Sequence, residues 1–174
     1  MNAVSTRAVQ NGTSHLPSLF RIAALGVILI ACPLIAAAQA PQGLVGTWKQ
    51  NMAKSTYTTG TAPKSQTSHW EAAPGGGLKN VNDSVDAAGK ALHSELVTMF
   101  DGKPAELKGA AAPTTRAFTR IDDRTYQFVQ SVNGKVTTTT RGTISADGKT
   151  RTLVATGTDT QGKPVNNTTV WERQ

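Results

Sequence analysis

Gly46-Thr47-Trp48-Lys49, read together with Val170-Trp171-Glu172-Arg173 near the far end of the chain, decides the fold. A glycine lets the backbone approach closely, and a tryptophan two residues later falls on the same face of a strand. Gly46 and Trp48 therefore offer a large plug for one end of a β-barrel. Between the two stretches the punctuation is regular. Gly89, Gly102, Gly134, Gly148 and Gly162 each precede a lysine, and Asp122-Asp123-Arg124 supplies a further turn in the one long gap. Asn-Gly and Asp-Gly are strong hairpin signals, because both central residues of a type I′ turn need positive φ. Such spacing leaves strands of about eight to ten residues and predicts an all-β fold, an up-and-down antiparallel barrel of about eight to ten strands.

Composition agrees with that reading. Lys135 to Ile144 holds Val136, four consecutive threonines and Ile144, and Lys149 to Gly157 holds Leu153 and Val154 among threonines; β-branched runs of this kind disfavour helix and fit a pleated sheet. Asn51 to Tyr57 lacks strand alternation and predicts a short helical turn after the first strand, capping one barrel mouth before Gly60 and Pro63 break it. Strand periodicity groups Gln66, Ser68 and Trp70, and groups Tyr126 and Phe128 with Gln130. Hydroxyl and apolar side chains thus share faces. A barrel enclosing a cavity accommodates such a mixture, and so does a wall whose threonines face solvent.

The first residues have a different character. Arg7 and Arg21 are the only charges before an uncharged apolar run from Ile22 to Ala38. This is the pattern of a secretory signal, giving a signal peptide over 1–38 and a barrel domain over 39–174, with cleavage before Gln39 after Ala36-Ala37-Ala38. The periplasm or the exterior is the expected destination. Leu29-Ile30-Ala31-Cys32 supports an alternative, a bacterial lipobox whose cysteine anchors the protein to a membrane. Cys32 is the only cysteine, so no disulfide staples the mature domain.

The mature part carries sixteen Lys and Arg against eleven Asp and Glu. Lys90, Lys103, Lys135, Lys149 and Lys163 are scattered over turns rather than gathered in a patch, which argues against a nucleic-acid partner and for a solvated surface. His93 and Glu95 share a strand face, but no third ligand completes a metal site. No Gly-x-Ser-x-Gly elbow or paired catalytic carboxylates are present, so the chain reads as non-enzymatic, without a cofactor, and as a monomer.

With the Gly46-Thr47-Trp48-Lys49 opening, the meander and the Val170-Trp171-Glu172-Arg173 ending, the mature chain resembles the lipocalin and fatty-acid-binding-protein (calycin) superfamily. More closely it is similar to uncharacterised exported bacterial lipocalin-like proteins, through the run Gly46 to Ser55, Arg120-Ile121-Asp122, and Gly157-Thr158-Asp159 followed by Gly162, Val165, Asn166 and Asn167. The resemblance implies first and last strands that pair, with Trp48 plugging the closed end and Arg173 lying across it, both as structural residues. It also implies a lumen, for which Trp70, Arg116, Phe118, Tyr126, Phe128, Thr169 and Trp171 are the candidate ligand contacts. Fatty-acid-binding proteins end on an Arg-x-Tyr pattern whose side chains hold the ligand carboxylate; here that stretch is Thr169-Val170-Trp171. The expected ligand is therefore a small, neutral, largely apolar molecule, unless Arg116 shares the lumen with Phe118. The opposite orientation of that strand puts Ala117, Thr119 and Ile121 inside and both Arg116 and Arg120 in water. A rival reading is an envelope or secreted interaction protein whose barrel is filled by its own side chains.

Overall fold

The computed structural model describes residues 40–174; the signal segment expected over 1–38, its expected cleavage point and Cys32 lie outside them. Ten antiparallel strands follow in chain order: β1 Gly46–Thr56, β2 Ser65–Ala72, β3 Leu78–Val85, β4 Ala91–Thr98, β5 Asp101–Glu106, β6 Thr114–Arg120, β7 Thr125–Val132, β8 Lys135–Ile144, β9 Thr150–Thr158 and β10 Pro164–Arg173. They hydrogen-bond in the order β4-β3-β2-β1-β10-β9-β8-β7-β6-β5, a meander in which only β1 and β10 are non-sequential neighbours. The sheet curls into a nearly closed barrel. At the remaining seam β4 and β5 form no ladder, and a single antiparallel bridge between Glu95 and Lys108 joins the two sides, with backbone N–H to O distances of 3.1 and 2.9 Å. Pro104, which cannot donate to a ladder, lies in β5 on this free edge.

Two local expectations are corrected. The helical turn over Asn51 to Tyr57 is absent: β1 runs on to Thr56, and the missing alternation reflects a shift of its pairing with β10 between Asn51 and Thr56. The Ser55 hydroxyl donates to the Asn51 carbonyl at 2.7 Å, closing this irregularity with local bonds as a helical turn would. Among the turns, Asn133-Gly134 has two positive φ values, 50° and 77°, as a type I′ turn needs. Gly89, Gly148 and Gly162 instead close the turns that begin at Asp86, Ser145 and Asp159, whose carbonyls accept the glycine N–H. Only the glycine is left-handed there, the pattern of a type I turn followed by a bulge. Gly102 is not at a hairpin tip but inside β5, at another pairing irregularity. The left-handed residue that turns β4 into β5 is Phe100, with φ 55°.

Carboxylates hold several of these bends. Asp101 is kept below its ordinary pKa by the Lys103 backbone N–H, Asp122 by that of Arg124, and Asp147 by the Ser145 hydroxyl and then the Lys149 backbone N–H. A depressed folded-state pKa gives stability that is present above the unfolded value and lost as pH falls through the folded one. The melting temperature is expected to begin falling below about pH 4, followed by circular dichroism; a melting temperature unchanged down to pH 2 would show that these bonds contribute nothing.

The core sits inside the closed end. Trp48, Leu44, Ile144, Phe100, Phe118 and Tyr126 are all buried, and the Trp48 indole N–H donates to the Leu44 carbonyl at 2.9 Å. Trp48 and Arg173 face each other in the β1–β10 register, and the Arg173 guanidinium lies 4.4 Å from the indole centre. That guanidinium also donates to the carbonyls of Gly148 and Val45, at 2.8 and 2.7 Å, and to that of Gly43. A Cβ at Gly46, where φ is 128°, would run into it, which explains the glycine two residues before the tryptophan.

Candidate functional site

Above this floor the barrel holds a half-open cavity of about 200 Å³. All seven lumen candidates line it: Trp70 from β2, Arg116 and Phe118 from β6, Tyr126 and Phe128 from β7, Thr169 and Trp171 from β10. Gly46, Trp48 and Arg173 are not in its wall and belong to the floor. Alternation decides β6. Phe118 is buried against Phe128, ring centres 4.8 Å apart, and Trp70 meets it edge-on at 5.7 Å. Arg116 shares that face, whereas Thr119 and Ile121 are exposed. The orientation with Ala117, Thr119 and Ile121 inside is thus excluded. The condition attached to a neutral ligand is met from the other side, because an arginine does enter the lumen.

Two walls differ in chemistry. One is aromatic, formed by Trp70, Phe118, Tyr126 and Phe128. The other is polar: Asn80 donates to the Ser68 hydroxyl at 3.0 Å and to the His69 carbonyl at 3.1 Å, while Asn82 donates to the Asn80 side-chain oxygen at 2.6 Å. The Trp171 indole N–H donates to the Thr169 hydroxyl at 2.9 Å, so that Thr169 orients the indole.

Arg151 was not singled out from the sequence. It is only 2% exposed, and its guanidinium lies 4.7 Å from the Trp171 ring centre and 5.2 Å from that of Trp48, joining floor to cavity. Alternation from Arg151 to Leu153 and Ala155, all three in the lining, is the signal that marks it. That signal depends on knowing the register, since Thr150, Thr152 and Val154 compose an equally plausible inner face. Burial lowers the pKa of Arg151, and the neighbouring Tyr126 opposes that shift. Burial likewise brings Arg116 down to about 10, again opposed by Tyr126, which leaves it cationic at neutral pH. Arg116 donates through Nε to the Gln130 side-chain oxygen at 2.9 Å and stands 5.2 Å from the Phe128 ring centre. Tyr126 itself is pushed up by burial, so it is a neutral hydroxyl at neutral pH. Gly142 opposite it has no Cβ, and the ring lies in the space a side chain would take.

Among the described residues no carboxylate lines the cavity. Arg120, on the same face of β6 but beyond the cavity wall, is by contrast ion-paired with Asp123. His93 and Glu95 do not act together: His93 contacts Asp83 at 2.7 Å on the outer face, and Glu95 pairs with Lys79 at 3.0 Å. No group of three or more potential ligands that could hold a metal occurs among the described residues. No protein-family model matches the chain, and comparison with curated proteins gives no match.

Proposed function

We propose that this is an exported, lipocalin-like binding protein without enzymatic activity, which carries a small, largely apolar molecule in the barrel lumen. The observation that supports this best is the half-open cavity, where aromatic rings face a fixed row of amides and hydroxyls. Such a combination, apolar area for affinity and a few placed polar groups for orientation, is typical of small-molecule sites. Export is supported by the apolar segment after Arg21 and the small residues preceding Gln39.

Both parts are tested on protein purified from its own cell envelope. Native mass spectrometry is expected to show a chain beginning at Gln39 and carrying one small molecule that is released on denaturation. A chain beginning at a lipidated Cys32 would place the barrel on a membrane surface instead. Ligand-free protein that captures no small molecule from the envelope extract would favour an interaction protein with no small-molecule cargo.

A further inference from the structure

We infer that the lumen is a site for a compact aromatic carboxylate, a class more specific than an apolar ligand and resting on the proposal that the lumen is a binding site. Two of the buried side-chain atoms without a hydrogen-bond partner, Trp70 Nε1 and Arg151 Nε, belong to lining residues. Both are donors. The third, Gln50 Oε1, belongs to a residue outside the lining. Arg116 spends only its Nε–H on Gln130, leaving the rest of the guanidinium for the cavity. The buried unpartnered side-chain atoms of the lining are therefore donors, and two of its groups, Arg116 and Arg151, are cationic.

A buried guanidinium is costly unless a counter-charge and acceptors meet it. Arg120 shows how the chain supplies one where it needs it, through Asp123. Among the described residues neither Arg116 nor Arg151 has such a partner; the titratable groups that act on them are the neutral Tyr126 hydroxyl and, for Arg151, the like-charged Arg173. A carboxylate brings the missing charge and several acceptor lone pairs in one planar group that suits a guanidinium fork. Size and walls specify the rest. An engineered apolar cavity of roughly 150 Å³ takes up benzene, so the present 200 Å³ suits one substituted ring rather than a long acyl chain. Phe118, Phe128 and Trp70 offer faces and edges to that ring.

The test titrates ligand-free protein at pH 7 with benzoate, methyl benzoate and palmitate, followed by calorimetry and by tryptophan fluorescence. Benzoate is expected to bind at least about tenfold more tightly than its ester, the ratio for one charge-assisted hydrogen bond. That preference is expected to shrink to less than about threefold in Arg151→Met and in Arg116→Met, and to persist in Lys135→Gln, which removes an exposed positive charge at the start of β8. The acid-to-ester ratio of the parent decides even if a variant fails to fold. An ester that binds as well as the acid overturns the anionic site while leaving the lumen as a binding site. Palmitate binding more tightly than benzoate overturns the compact ligand. Failure of all three to bind overturns the lumen reading itself, and this inference with it.

Discussion

Trp48→Ala is expected to destabilise the barrel by about 3–5 kcal/mol, the range for removing a large aromatic side chain from a core. The full range applies because the site cannot collapse. Trp48 has no exposed surface, its indole N–H fixes the Leu44 carbonyl, and the guanidiniums of Arg173 and Arg151 lie 4.4 and 5.2 Å from its ring. Truncation opens a void, leaves Arg173 without its aromatic partner and Arg151 with Trp171 alone, and leaves one buried carbonyl without its donor. In a chain of this size such a loss lowers the melting temperature by roughly 10–20 °C, readable by circular dichroism. A variant melting within a degree or two of the parent would show that the floor is held by other contacts. Trp48→Phe separates the contributions: it keeps most of the buried area and loses the bond to Leu44, so it is expected to fall between the two.

Gly142→Ala is the second large effect, and it links the wall to the cavity. The added Cβ would come within 2.6 Å of Tyr126 Cε1 and 2.8 Å of its hydroxyl oxygen, in a residue only 1% exposed. A flexible side chain could swing aside, but an aromatic ring packed against Phe100 and Phe118 has no free direction except the lumen. Overpacking of this kind costs about 1–3 kcal/mol. Displacing the ring would also remove the hydroxyl from the two lumenal arginines and fill part of the cavity. Chemical denaturation of Gly142→Ala, Tyr126→Leu and the double variant measures the coupling directly. The double variant is expected to be more stable than the sum of the single losses allows; strict additivity would mean that the two residues do not compete for space.

Both effects depend on residues that a reader of the sequence meets unevenly. The meander was legible because left-handed glycines punctuate it and β-branched residues fill the intervals. The Gly46–Trp48 pair was legible because two positions on one strand face cannot be separated by folding. Less could be seen where alternation alone had to choose a face. Ala117, Thr119 and Ile121 form a plausible inner row, and only the packing of Phe118 between Trp70 and Phe128 turns Arg116 inward. Arg151 was hidden for a related reason. Nothing in Thr150 to Thr158 distinguishes its faces until the neighbouring strands fix the register, which sets Arg151 opposite Trp171. The Asn51 to Tyr57 segment misled because an irregular strand and a helical turn both interrupt alternation. Phe100 was unreadable in principle: its left-handed φ is imposed by burial of its ring among Trp70, Phe118 and Tyr126, contacts that lie far off in the chain.

The position of the β1–β10 pairing in the meander carries a kinetic consequence. Every other ladder joins strands adjacent in the chain and closes a short loop, so the segments β1–β4 and β5–β10 can each zip up from their own turns. Bringing Trp48 to Arg173 instead closes a loop spanning nearly the whole domain, at a greater entropic cost and a correspondingly slower rate. The floor forms only at that step, since Arg151 and Arg173 reach Trp48 from the last two strands. Until β10 is available, β1 is held by β2 alone, and the strands stand as two open sheets whose facing edges are left unpaired.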